Sequence, residues 1–203
     1  METIAVAAEH DVSTAAFPSR PLLGTWSATL LDEPPVSGSV PEVHFDLGPN
    51  GGDWCWALFE KADDVGLDAW AGCFRRDGGM SRRDLALAVA LTEDAVVLAG
   101  DLLYWVSLRD RSIRYTDPHA LEVRGVPGRP IVAVAGYHEV RLISSAGILW
   151  RRELISCDPI TLTDSTHDRV TGIVESLDGR VPFEIDLESM QLKGGIGPAE
   201  DAW

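Results

Sequence analysis

Six consecutive residues constrain the fold of this 203-residue chain more than any others. Phe183, Ile185 and Leu187 alternate with Glu184, Asp186 and Glu188. A helix would split the three apolar side chains between opposite sides of its axis, whereas a strand places residues i, i+2 and i+4 on one face. The alternation predicts a strand with a buried apolar row and an outward acidic row. Burying that row contributes roughly 1.5–3 kcal/mol per large side chain before conformational entropy is set against it.

The surrounding stretch, Tyr137 to Gly195, follows the same logic. Val140 and Leu142, then Ile148 to Trp150, flank a Ser144-Ser145 turn with Gly147 behind it, which reads as strand, turn, strand. Cys157-Asp158-Pro159 reads as a turn, because the proline ring bars the α region to the residue before it. Ile160 and Leu162 alternate with Thr161 and Thr163, Val170 to Val174 forms another strand, and Asp178-Gly179 marks a hairpin. Upstream, strands are predicted over Leu22–Leu31, Val43–Leu47, Trp54–Phe59, Leu67–Phe74, Val96–Leu98, Leu102–Leu108 and Ser112–Tyr115. They are separated by the Asp32–Pro41 loop, a Gly48-Pro49-Asn50-Gly51-Gly52 turn and a turn at Asp63–Gly66. Both faces of Trp54–Phe59 are apolar, so that strand is expected to be central and covered twice. Ser81 and Asp84 fit a helix start, yet Leu85, Leu87, Val89 and Leu91 alternate with Ala86, Ala88 and Ala90, and the alternation favours strand. Residues 1–20 read as a loose arm, 21–195 as a β-rich domain and 196–203 as a tail. The expected fold is all-β: antiparallel meanders, propeller-like or in a sandwich or barrel, forming a single domain. Short turns and the lack of helix-length crossovers argue for antiparallel pairing.

Ala95–Asp117 and Glu139–Asp164 share a shape, with Leu103-Tyr104-Trp105 corresponding to Ile148-Leu149-Trp150. A third copy runs from Val170 to Lys193, and Trp54-Cys55-Trp56 marks an earlier one. The pattern resembles the blades of a small β-propeller or propeller fragment over most of the chain, without the Trp-Asp and Gly-His marks of WD40 repeats. Separately, Gly24-Thr25-Trp26 resembles the Gly-x-Trp of the first strand of lipocalins. That resemblance implies a ligand-binding barrel, its pocket drawing on Trp26, Trp54 and Trp56.

Thirty-two acidic against 17 basic residues give a net charge of −15. Direct binding to a nucleic-acid backbone needs clustered Lys and Arg and is not expected. A basic protein surface is the natural complement. No apolar run approaches the roughly 18 residues of a membrane span, and Glu2 stands where a signal peptide would carry positive charge, so a cytoplasmic, bacterial location is expected. Cys55, Cys73 and Cys157 lack metal-ligand spacing and are expected to be reduced thiols. The five histidines are scattered, HExxH, GxSxG and phosphate loops are absent, and neither metal nor cofactor is expected. Arg75, Arg76, Arg82 and Arg83 form the one local basic cluster, expected to pair with surplus carboxylates. The expected function is that of a non-enzymatic acidic binding protein of immunity, inhibitor or assembly-subunit type, contacting its partner through Glu184, Asp186 and Glu188. The alternatives are a small-ligand barrel built on Trp26, Trp54 and Trp56, and a carboxylate-based hydrolase using the same acidic row.

Overall fold

The structure, a computed structural model, describes residues 26–45, 53–61, 68–76 and 84–197. The loose arm at 1–20, Gly24 and Thr25, the turns at 48–52 and 63–66, Ser81 to Arg83, and the tail beyond Gly197 lie outside the described residues. No helix occurs among the residues described; the elements are strands arranged in four sheets of four.

The first sheet contains β1 (Trp26–Leu31), β2 (Glu42–Phe45), β3 (Trp54–Lys61) and β4 (Trp70–Arg75). The second contains β5 (Leu85–Ala88), β6 (Asp94–Ala99), β7 (Leu102–Ser107) and β8 (Ser112–Pro118). The third contains β9 (Glu122–Gly125), β10 (Val132–Ala135), β11 (Glu139–Ser144) and β12 (Gly147–Glu153). The fourth contains β13 (Thr161–Ser165), β14 (Arg169–Ser176), β15 (Gly179–Asp186) and β16 (Gln191–Gly194). In the last three sheets the strands pair antiparallel in chain order, so each sheet is one uninterrupted meander. Their opening strands begin at Leu85, Glu122 and Thr161, 37 and 39 residues apart. Such repeated four-stranded meanders, packed face to face, are propeller-like, and the all-β expectation holds.

Three details differ from the sequence reading. The first sheet has the order β1-β3-β4-β2, and β2 runs parallel to β4. Since β1 and β4 both oppose β3, β1 and β2 run the same way, and the loop at 32–41 must carry the chain across three strand spacings, about 14 Å. The repeat correspondence is offset by one strand: Leu103 to Trp105 lie in β7, the third strand of its sheet, but Ile148 to Trp150 lie in β12, the fourth. Finally, β9 was not foreseen; it is short, and Glu122 and Arg124 interrupt its apolar signal.

Three apolar cores hold the sheets together. Phe59, Trp70 and Phe74 meet Tyr104, Val97 and Val106 between the first and second sheets, with Phe45 stacked on Phe74 at 4.9 Å. Val96, Leu98, Leu103 and Trp105 meet Val123, Val132, Val134 and Ile143 between the second and third. Ala133, Ala135, Val140 and Leu142 meet Leu162, Val170, Phe183, Ile185 and Leu187 between the third and fourth. The row that opened the sequence argument is thus fully interior. Alternation along one strand serves two cores: Ala95 and Val97 of β6 face one way, Val96 and Leu98 the other. Among the described residues, no core joins the first sheet to the fourth. That accounts for β3, which is central in its sheet but covered on one face: Cys55, Ala57 and Phe59 are buried, while Trp54, Trp56 and Leu58 are only partly so.

Polar contacts reinforce these stacks. The Leu162 amide donates to Glu122 Oε2 at 3.0 Å, and Arg124 Nε donates to the Leu162 carbonyl at 2.8 Å. Side chains of β9 thereby serve backbone groups at the edge of β13. Between the second and third sheets, buried Arg141 donates to Asp117 Oδ1 at 2.8 Å and to the His119 carbonyl at 3.3 Å, with Glu139 at 3.1 Å.

Candidate functional site

The site follows from the sequence of β12, whose first half is apolar and second half charged: Ile148, Leu149 and Trp150, then Arg151, Arg152 and Glu153. It is the outermost strand of the third sheet. Trp150 pairs with Leu142 and Arg152 with Val140, so both turn toward the fourth sheet. The register slips between Leu142 and Ile143, leaving Leu149 as the extra residue of a β-bulge. Ile148 is 45% exposed and Leu149 52%.

Across from β12 stands β16, the outermost strand of the fourth sheet. Between them lies a groove of about 520 Å³ lined by Trp150, Arg152, Met190, Gln191 and Leu192. Trp150, Leu192 and Ile196 pack on the third core from outside, so the groove is the rim of that core. Beyond β12 the Ile155 amide donates to the Ile196 carbonyl at 2.6 Å, tying the segment after β12 to the one after β16. Of the exposed large apolar residues, Met190 lines the groove, and Ile148 and Leu149 are neighbours in β12, Ile148 paired with Ile143 and so on the face turned to the second sheet; Val36, Leu91, Ile155 and Leu177 lie outside strands. Isolated apolar residues are ordinary on a protein surface, but two adjacent exposed ones on an outermost strand are what sheet proteins normally avoid. On the opposite face of β12, Arg151 lies 3.4 Å from Glu139 and 3.8 Å from Glu153.

The sequence-predicted acidic row falls on the outer face of β15 and the turn after it. Glu184 lies between Arg169 at 3.7 Å and Lys193 at 4.0 Å. Asp186 Oδ1 accepts the amides of Ser189 at 2.8 Å and Glu188 at 3.0 Å, and these donors hold its carboxyl below the usual range. Glu188 is exposed. The row is therefore present, with two of its members engaged in cross-strand pairing and turn closure.

The tryptophans do not converge. Trp26 is buried in the first core, whereas Trp54 and Trp56 lie on the opposite face of that sheet, Trp56 edge-on to His44 at 5.3 Å. Burial pushes the Cys55 thiol up to about 12 and the Cys73 thiol to about 11, while Cys157 is exposed. Arg76 Nε donates to Asp84 at 2.7 Å, the pairing expected of the basic cluster; Arg82 and Arg83 lie outside the described residues. Among the described residues, no group of His, Cys, Asp and Glu is placed to hold a metal ion, and no helix is long and apolar enough to cross a membrane.

No family model and no curated protein matches the chain. Among solved structures it is similar to a chain of a mitotic checkpoint complex, at 12% identity and a TM-score of 0.43, covering 95% of this chain and 61% of that one. It is also similar to the N-terminal domain of Nup159, at 9% identity and a TM-score of 0.45, covering 87% of this chain and 52% of that one. The Neurospora crassa Pan2 WD40 domain aligns at 11% identity and a TM-score of 0.37, covering 90% of this chain and 75% of that one. The chain thus spans about half to three fifths of the first two.

The sequence reading did not find the groove. Its one visible signal was the switch within β12 from three apolar residues to two arginines.

Proposed function

We propose that the chain is a non-enzymatic protein-interaction module that engages its partner at the rim between β12 and β16. The observation that carries this reading is the pair Ile148 and Leu149, adjacent and exposed on an outermost strand that also lines a groove through Trp150 and Arg152. Covering such a patch removes apolar area from water, and the driving force scales with that area. The net charge of −15 adds a long-range pull on a basic partner, which speeds encounter more than it prolongs residence. Glu184, Asp186 and Glu188 act in that steering role, as three of the carboxylates that set the field.

Co-purification from cells tests this, comparing the wild type with an Ile148→Glu/Leu149→Glu variant and a Glu184→Gln/Asp186→Asn/Glu188→Gln variant, at about 0.15 M and about 1 M salt. The rim variant should lose the partner at both salt concentrations. The acidic-row variant should differ from wild type only at the lower one. A partner retained undiminished by the rim variant would overturn the reading.

A further inference from the structure

Resting on the reading that this rim binds a partner, we propose that β12 accepts an extended segment of another protein as an added antiparallel strand, and that carboxylate residues precede apolar ones along that segment. β12 is the last strand of its sheet, so alternate backbone N–H and C=O groups along it turn away from β11 with no described strand beyond them. Adding a strand satisfies those groups, while alternate side chains of the newcomer supply selectivity.

The chemistry of the occupant follows from the order of residues in β12. An antiparallel segment passes Arg152 and Arg151 first, then Trp150, Leu149 and Ile148. Carboxylates, which would share Arg151 with Glu139 and Glu153, therefore belong at its beginning and apolar side chains after them, one entering the groove beside Trp150 and Leu192. A second copy of this chain fits badly. Two β12 strands paired antiparallel would set the apolar half of each against the charged half of the other. The overall charge of −15 also repels a long acidic run, so the carboxylates must be few and held near Arg151 and Arg152.

Fluorescence anisotropy on the full chain tests this with a labelled synthetic peptide carrying Asp-Glu-Asp-Leu-Ile-Leu at its centre, against one with the central order reversed. The first should bind at least about tenfold more tightly. Arg151→Glu/Arg152→Glu should abolish that preference, and N-methylation of alternate peptide amides should weaken binding by a similar factor. Equal affinity for the two orders, or indifference to the arginine substitutions, would overturn strand addition. So would binding that appears only after residues 198–203 are removed, since Glu200-Asp201-Ala202-Trp203 has the same order of chemistry and the edge would then belong to this chain's own end. A self-associated form dissolved by the same substitutions would count against it equally. If the rim variant loses its cellular partner while neither peptide binds, the interaction reading survives and strand addition alone falls.

Discussion

Replacing Arg141 with methionine separates the contribution of buried charge from that of apolar packing at the joint between the second and third sheets. Arg141 is 4% exposed and Asp117 3%, so both charges have lost nearly all their water. Among the described residues, none hydrogen-bonds to Asp117 Oδ2 or Arg141 Nε. Arg141→Met leaves the Asp117 carboxylate buried without its guanidinium, and removing one member of such a pair costs about 3–5 kcal/mol. For a chain of this length that corresponds to a melting point lower by roughly 10 °C. Adding Asp117→Leu removes the stranded charge, and the double variant should recover most of the loss.

The pH dependence has a definite sign. Burial, the largest cause, and then Glu139 raise the Asp117 carboxyl above its ordinary 3.8, against the opposing pull of Arg141. A carboxyl that holds its proton more tightly when folded contributes stability below its unfolded value, and that stability fades as pH climbs through the folded one. Without Arg141 the folded value rises further, so the deficit at about pH 7 should exceed that at about pH 4. Urea titration followed by tryptophan fluorescence, with fully buried Trp105 among the reporters, reads both quantities. A deficit independent of pH and unrelieved by Asp117→Leu would refute the reasoning.

Gly172→Ala should destabilise by about 1–3 kcal/mol in thermal unfolding, because a β-carbon there would strike the Phe183 ring and sit 2.5 Å from the Thr161 carbonyl; Phe183→Leu should relieve part of that cost. Of the three thiols, only Cys157 should react with a disulfide reagent at about pH 8 in the native protein, since burial holds Cys55 and Cys73 protonated; urea should release the other two, and three fast native thiols would contradict the burial. Asp186→Asn should flatten the pH dependence of stability in acid. The lowered Asp186 carboxyl stabilises the fold above 3.8 and loses that effect as pH falls through its folded value, so an unchanged acid limb would refute the role given to the amides of Glu188 and Ser189.

Local patterns predicted local elements well here. Phe183, Ile185 and Leu187 announced their burial, and Leu85 to Ala88 formed a strand because alternation outweighed the helix-start signal around Ser81 and Asp84. Pairings set by distant parts of the chain were not legible. Nothing in Glu42–Phe45 indicates that its neighbour will be the parallel β4, reached only after β3 has been inserted. The apolar face of Trp54, Trp56 and Leu58 suggested a covering layer, but among the described residues no core forms on that side. The groove needs β12 and β16 side by side, a consequence of sheet stacking that neither segment encodes alone. The acidic row was readable as a row. Its use in closing the turn at Ser189 and in pairing with Arg169 and Lys193 required coordinates.

Among the described residues, three cores join four sheets, and each sheet packs through them on its immediate neighbours. The chain should respond to damage as a short stack does, each layer supporting the next. Through the described cores, disturbance within the fourth sheet reaches the first by crossing two complete layers, whose strands β6 and β10 are buried along their whole length and should yield last. Hydrogen exchange should accordingly progress from both ends toward the middle. The proposed binding rim, on the outermost strands of the third and fourth sheets, would then join a slow-exchanging layer to one that opens sooner.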